Sequence, residues 1–475
     1  MMTRLFPGMF LCATLLAALP APAQPPIQLP TAAPTATSAP AQPAEPAADP
    51  VPMSLRDCMA YALSNSTRMR IRQAAVDDAR IARRAAILAA FTPQVSGSLS
   101  ASSSFGRSID PETNTYIART SFSNGYGVSG SLTLFDGFSA VNNLRIARTG
   151  LLMAQSEVEV AEAELSLAVM EAYYNVVYYE RLAEVCAEQT EAAELALRRA
   201  ERQEELGRQS HAGVVQLAAE LADSRYDLIQ TRNRCDDQRM TLEALLFWEG
   251  PGPLAVDASL AAGQLPQHAD EPAADEVLAV AMQSLPVLRI AEGTVEQARR
   301  ELATARWSLL PSLSIGGGWS TSFYTRAGSP HDPFGAQFRH NGGEYVSASL
   351  SIPLFGRLQR QSQIGRRRNA LARAEAELDQ RQREVATEVR RALQDCAGAR
   401  EAWLQAQRRA EVQQEAYALS QRQLEQGLIS PLEFRTASGN YLRAQADRMN
   451  ALFQYRIKTA VVRYYQGEKY VEQAF

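Results

Sequence analysis

Residues 346–357, Val-Ser-Ala-Ser-Leu-Ser-Ile-Pro-Leu-Phe-Gly-Arg, join an alternating strand pattern to a Pro-Leu-Phe-Gly turn. Residues 128–137, Val-Ser-Gly-Ser-Leu-Thr-Leu-Phe-Asp-Gly, carry the same pattern in the first half of the chain. A second landmark, the Gly-x-x-Ser sequence beginning at Gly207, recurs at Gly427 with nearly the same offset. Because one offset holds over separate landmarks, the chain contains an internal duplication.

The duplication predicts two repeats, residues 53–248 and 275–475, joined by an irregular Pro-, Gly- and Asp-containing linker at 249–274. Each repeat is predicted to begin with a helical stretch that is poor in glycine and proline. A β-hairpin, a very long helix, a Gly-x-x-Ser turn and a shorter helix follow. The helical stretches are predicted over residues 54–91 and 275–310, and the hairpins over about 93–135 and about 311–355.

The long helices set the size of the molecule. Residues 138–206 contain no proline and one glycine, which predicts a rod of roughly 100 Å, and residues 356–426 also lack proline. The returning helix at 212–248 spans only about 55 Å. Laid end to end with the helical stretch that opens the repeat, it would match the length of the long helix.

The predicted strands have one apolar face and one face of nearly pure serine, the period-two pattern of a sheet between an apolar and a watery phase. Each run of about ten residues suits a tilted strand that crosses a bilayer. A soluble amphipathic sheet is the alternative, but its wet face would carry more Lys, Glu and Thr. The pattern favours a membrane barrel whose water-filled pore is lined by Ser98, Ser100, Ser131, Ser314 and Ser349.

Four aromatic residues near the strand ends, Phe105, Tyr126, Phe323 and Tyr345, are predicted to form interfacial girdles. Four strands cannot close a barrel, and lipid does not tolerate an open sheet edge. Several copies of the chain are therefore expected to share one barrel.

The N-terminus has the features of an export signal. Arg4, an apolar run at residues 10–19 and the Ala21-Pro22-Ala23 sequence predict a signal peptide over residues 1–23. Cys12 would be the lipid-modified residue of a lipoprotein, but the small residues such a site requires do not precede it. Residues 24–52 are rich in Pro and Ala and predict an extended tether.

Composition excludes several functional classes. The net charge of -4 gives no basic field for nucleic acid. No cysteine spacing suits a metal, no catalytic motif is found, and residues 326–340 have the composition of a surface loop, so neither an enzyme nor a cofactor is expected. Cys186 and Cys235 lie about equally far from the Gly207 turn, which is compatible with a disulfide or with two buried free thiols.

The strand and turn at residues 351–357, which run into Arg366-Arg367-Arg368-Asn369-Ala370, resemble the TolC or outer-membrane efflux protein family, and residues 133–137 are the first-half counterpart. The resemblance extends from residue 53 to about residue 467. It implies a mainly α-helical fold with a small transmembrane β part. It further implies a homotrimer that forms a twelve-stranded β-barrel in outer-membrane lipid and a coiled-coil α-barrel in the periplasm.

The resemblance also implies a function. The family's channels conduct substrates passively outward from an inner-membrane pump and a periplasmic adaptor, the membrane fusion protein. A type I protein-secretion duct of the same architecture is one alternative. A periplasmic coiled-coil adaptor or scaffold is another, although an adaptor has one helical hairpin between compact β domains.

The two Gly-x-x-Ser turns carry the remaining site predictions. Glycine ends helices and serine begins them, and the resemblance places the turns where an adaptor would dock. The family's acidic entrance ring would fall on Glu433, with Thr436 and Gly213 departing from the acidic pattern. An ordinary acid at a helix start is the alternative for Glu433. The predicted docking residues are Gly207, Ser210, Gly427, Leu428 and Ser430.

Overall fold

The computed structural model describes residues 52–109, 114–250, 252–257, 273–326 and 330–473. The predicted signal peptide, Cys12 and all but the last residue of the predicted tether lie outside these ranges. The first repeat contains α1 (Leu55–Asn65), α2 (Thr67–Phe91), β1 (Gln94–Ile109), β2 (Tyr116–Phe135), α3 (Ser139–Glu205) and α4 (His211–Leu246). The second contains α5 (Ala274–Ser284), α6 (Pro286–Trp307), β3 (Ser312–Arg326), α7 (Phe334–His340), β4 (Gly343–Ser351), α8 (Gln359–Glu425) and α9 (Pro431–Tyr465).

The fold is mainly α-helical with one small sheet, as predicted. Both long helices, α3 and α8, have 67 residues, which corresponds to about 100 Å each. Each begins just after a strand and ends at a Gly-x-x-Ser turn. The sheet and the turns therefore lie at opposite ends of the long helices. No helix among the described residues has an apolar stretch long enough to cross a membrane.

Each long helix packs against two shorter helices in succession. Ion pairs mark the contacts: Arg72–Glu157 (3.0 Å) joins α2 to the first part of α3, and Arg225–Glu194 (2.6 Å) joins α4 to its last part. In the second repeat, the Arg367–Glu301 ion pair (2.5 Å) joins α6 to the first part of α8, and the Arg409–Asp447 ion pair (2.8 Å) joins α9 to its last part.

The opening helical stretch of each repeat is broken rather than continuous. Ser66 ends α1 and starts α2, because its hydroxyl accepts a hydrogen bond from the Arg68 amide at 3.2 Å. In the second repeat, Pro286 is the first residue of α6. Proline has no amide hydrogen to continue α5 and suits the first position of a new helix.

The main core surrounds the middle of α3. Leu165, Val169 and Val176 are almost fully buried against residues of α1, α4 and α9. A parallel bridge between Met53 and Val256 ties the start of the first repeat to the linker. The Tyr173 hydroxyl donates to the Asp257 carbonyl oxygen at 2.7 Å, and burial raises the pKa of that hydroxyl, so it remains a donor.

The four strands form one antiparallel sheet in the order β1-β2-β3-β4. β1, β2, β3 and β4 contain 16, 20, 15 and 9 residues, so three of them are longer than the sequence pattern predicted. Among the described residues of one chain, β1 and β4 form the two edges of the sheet.

Candidate conduction pathway

The strand register keeps the serine face and the apolar face separate across all four strands. Residues that pair across an antiparallel sheet point to the same side. Ser96 pairs with Ser129, and their hydroxyls are 3.3 Å apart, while Ser314 pairs with Ser349. The five predicted pore-lining serines all lie on this face: Ser98, Ser100, Ser131 and Ser349 are exposed, and Ser314 is half-buried.

Glycines share the serine face where β2 and β3 cross its centre. Gly127 lies between Ser98 and Ser320, and Gly125 lies between Ser100 and Ser322. A face built from serine and glycine is small, uncharged and hydrogen-bonding. Such a surface can line a wide aqueous passage without holding a particular solute.

The opposite face is apolar and largely exposed. It carries Val95, Leu99 and Phe105 on β1 and Val346 and Leu350 on β4, and Val346 is 93% exposed. So much exposed apolar surface is unusual on a soluble protein and marks a contact with lipid or with a partner.

Aromatic side chains gather at both ends of the apolar face. Next to the helices, Phe138 contacts Phe135 (5.2 Å between ring centroids) and Trp307 (5.3 Å). At the far end, Phe338 of α7 contacts Tyr126 at 5.4 Å, and Phe334 contacts Phe323 at 5.3 Å. These two clusters are the positions expected of interfacial girdles.

The distance between the clusters matches a membrane. Tyr126 and Phe135, one from each cluster, are nine residues apart on β2, or about 31 Å along the strand, and a tilt of about 35° reduces this to about 25 Å. Tyr345 does not join the girdle that the sequence predicted, because its pairing with Gly318 places it on the serine face.

The structure explains why Asp136 and Gly137 connect β2 to α3, which the sequence pattern alone did not. Asp136 accepts a hydrogen bond from the Ala140 amide at 2.9 Å and so caps the start of α3. Gly137 has a φ of +65°, and a β-carbon there would collide with the Trp307 carbonyl oxygen. This glycine lets the strand turn closely against α6.

The two turns lie together at the other end of the long helices. Gly207 and Gly427 have φ values of +68° and +72°, as glycine helix terminators do. Ser210 and Ser430 then cap α4 and α9, accepting from Gly213 and Glu433 amides at 3.3 Å. Apolar side chains line a groove between the turns, the tip groove: Leu195, Leu217, Leu424, Ile429 and Phe434. Leu428 beside it is 69% exposed.

Glu433 has a local structural role. Its carboxylate accepts a hydrogen bond from the Ser430 amide at 2.8 Å, which completes a reciprocal capping box with Ser430. Thr436, one turn later, donates its hydroxyl to the Leu432 carbonyl oxygen at 3.0 Å. Glu433 remains exposed, so its charge faces solvent while it caps α9.

Ion pairs that the sequence did not reveal join the two repeats near the turns. Arg435 on α9 contacts Asp223 at 2.6 Å and Glu220 at 3.3 Å on α4, and Arg199 on α3 pairs with Glu425 on α8. Burial raises the pKa of the Glu220 carboxyl despite the nearby Arg435. Arg435 and its partners belong to different repeats, so no local sequence pattern could identify them.

Cys186 and Cys235 are free, buried thiols in the structure. The Cys186 sulfur lies 3.8 Å from the hydroxyl oxygen of Thr231, and Thr231 lies one helical turn before Cys235. Burial raises the pKa of both thiols. Within the described part of the chain, no group of three or more His, Cys, Asp or Glu side chains is placed to hold a metal ion.

The chain matches a known family over both repeats. Residues 59–246 and 277–467 match the outer membrane efflux protein family. No curated protein sequence gives a match.

Solved structures share the fold at low sequence identity. The Campylobacter jejuni CmeC outer membrane channel is 15% identical, with a TM-score of 0.70 over 85% of this chain and 84% of that chain. The Vibrio cholerae outer membrane protein VceC is 14% identical, with a TM-score of 0.67 over 86% and 95%. The Neisseria gonorrhoeae MtrE outer membrane channel, in its open state, is 18% identical, with a TM-score of 0.63 over 88% of each chain. The chain belongs to the outer membrane efflux protein family and is an outer-membrane protein with the fold of these channels.

Proposed function

We propose that this protein is the outer-membrane channel of a tripartite efflux system, a passive duct rather than an enzyme. The observation that carries the proposal is the division of the sheet into two continuous faces. One face is serine and glycine, suited to water, and the other is apolar with aromatic clusters about 25 Å apart, suited to an outer membrane.

The duct is a homotrimer. In the part of the sheet that the structure describes, β1 and β4 are edge strands, and lipid cannot satisfy the backbone groups of an open edge. Pairing β4 of one copy with β1 of the next removes every edge when three copies close a twelve-stranded barrel. The helices of the three copies then continue the passage for about 100 Å into the periplasm as an α-barrel.

The periplasmic adaptor binds at the turns around Gly207 and Gly427. The tip groove and the exposed Leu428 form an apolar surface at the end of the helices, where a helical hairpin of a partner can pack. An inner-membrane pump, joined through this adaptor, supplies the substrate. A type I protein-secretion system would use the same architecture, but membership of an efflux family favours efflux.

Glu433 forms an acidic ring at the entrance. In a trimer, three exposed carboxylates from the start of α9 would surround the passage, and each would remain fixed by its capping box. A fixed ring of negative charge favours cations over anions. Thr436 contributes a neutral hydroxyl one turn further along.

Single-channel recording of the detergent-purified protein in a planar bilayer tests the proposal, after its mass has been measured by light scattering. A trimer that conducts steadily and prefers cations is the expected result. A monomer, or a trimer that never conducts, would contradict the duct and favour a periplasmic scaffold.

A further inference from the structure

Among the described residues, no strand pairs with the outer part of β3 on its β4 side. β4 begins at Gly343, which pairs with Ser320, whereas β3 continues to Arg326. Residues 321–326 therefore extend beyond the last β4 residue. An unpaired strand edge is costly in lipid and would leave a notch in the wall of a barrel.

α7 occupies this position and substitutes for the missing strand. The Gln337 side-chain oxygen accepts a hydrogen bond from the Tyr324 amide, and its side-chain nitrogen donates to the Tyr324 carbonyl oxygen, both at 3.0 Å. This is the double hydrogen bond that a facing residue makes in an antiparallel sheet. Asn341, just after α7, donates to the Ser322 carbonyl oxygen at 2.7 Å.

α7 is also fixed to the apolar face of the sheet. Phe338 packs between Tyr126 and Trp319, and the centroid of its ring lies 5.4 Å from that of Tyr126 and 5.9 Å from that of Trp319. Thr321 beneath it is 3% exposed and donates its hydroxyl to the Phe338 carbonyl oxygen at 2.7 Å. The sequence predicted a surface loop here, but the segment is a helix held by side chains of β2 and β3.

The edge strand at the other side of the sheet is longer than β4. β1 has 16 residues and β4 has 9, and Gln94 and Ser351 lie at the same, helix-proximal end of the sheet. If β4 pairs with β1 of the next copy from that end, the pairing reaches about Ser102. Residues 103–108 of β1 lie beyond the reach of β4 on the side away from β2, and Phe105 there is 72% exposed.

We propose that α7 packs against the outer end of β1 in the next copy and seals the barrel wall between subunits. Arg339 and His340, exposed at the end of α7, can donate hydrogen bonds to carbonyl oxygens of that edge. The inference rests on the proposed trimer, because only a neighbouring copy places β1 beside α7.

Paired cysteine substitutions test the contact in the full-length protein in membranes, with a short bifunctional maleimide. The upper pair combines Gly335→Cys, where a β-carbon meets only open space, with Phe105→Cys or Arg107→Cys, two neighbouring positions on one face of β1. The lower pair, Ser349→Cys with Ser96→Cys, which face each other in this register, reports on β4–β1 pairing alone. The wild-type chain, which contains its own cysteines, is the blank.

The expected result is covalently linked dimers and trimers from both pairs. Adding Gln337→Ala should abolish the upper cross-link and leave the lower one, because only α7 loses its hold on Tyr324. A lower cross-link with no upper cross-link at either β1 position would overturn the seal and leave the trimer standing, with α7 facing lipid. Absence of both cross-links would overturn the proposed barrel itself.

Discussion

Replacing Val95 with arginine places a charge near the middle of the apolar face. Val95 pairs with Gly130, which lies about midway between Tyr126 and Phe135 on β2, and it is 67% exposed in the single chain, so arginine there displaces little packing. The penalty arises only when this face meets lipid. At the middle of a bilayer it is about 2–4 kcal/mol for each copy, and about three times that for a trimer.

Ser96→Arg is the matched control, because Ser96 is the adjacent residue of the same strand and points to the opposite face. An arginine there remains in water, so we expect a stability change of about 0.5 kcal/mol or less. The charge should instead lower the conductance for cations.

Both variants are compared by the fraction of trimer recovered from the outer membrane and by urea unfolding in phospholipid bilayers. Val95→Arg should reduce assembly strongly, and Ser96→Arg should assemble like the wild type. Normal assembly of Val95→Arg together with failure of Ser96→Arg would show that the two faces have been assigned the wrong way round.

Three further predictions concern single residues. Gly137→Ala should destabilise the protein by about 1–3 kcal/mol, because Gly137 has a positive φ and a β-carbon there would meet the Trp307 carbonyl. Gly398→Ala, in open space on α8, should instead stabilise the protein by about 0.5–1 kcal/mol, and equal melting temperatures of the two variants would contradict this expectation. Glu433→Gln keeps the hydrogen-bond acceptor of the capping box but removes the charge, so the preference of the channel for cations in planar bilayers should fall while the melting temperature stays the same. Unchanged ion selectivity would limit the role of Glu433 to capping α9. Because burial raises the pKa of the Cys186 and Cys235 thiols, both remain protonated at pH 8 and should resist iodoacetamide until the protein is unfolded. Rapid alkylation of the native protein would contradict their burial.

The features that the sequence predicted correctly depend on local signals. The absence of proline over residues 138–206 is sufficient for α3, which begins and ends next to the two predicted limits. Alternation of residue type assigns each strand residue to a face without knowledge of its neighbours. The register then aligns those faces, because residues that pair across an antiparallel sheet share a side.

The features that the sequence did not predict depend on contacts between distant residues. α7 is a helix because Phe338 packs on Tyr126, a residue of the other repeat, and its composition alone resembles a loop. The Arg435 ion pairs with α4 have the same origin. The break at Pro286 is different, since the proline was a visible signal within the predicted helical stretch.

Thiol block of single channels tests whether the serine face lines a conducting passage. Ser131→Cys places a thiol on the serine face of β2, and Val128→Cys places one on the apolar face of the same strand. A charged, water-soluble methanethiosulfonate reagent should step the Ser131→Cys current down as each copy reacts and leave the Val128→Cys current unchanged. Block of Val128→Cys with none of Ser131→Cys would contradict the account.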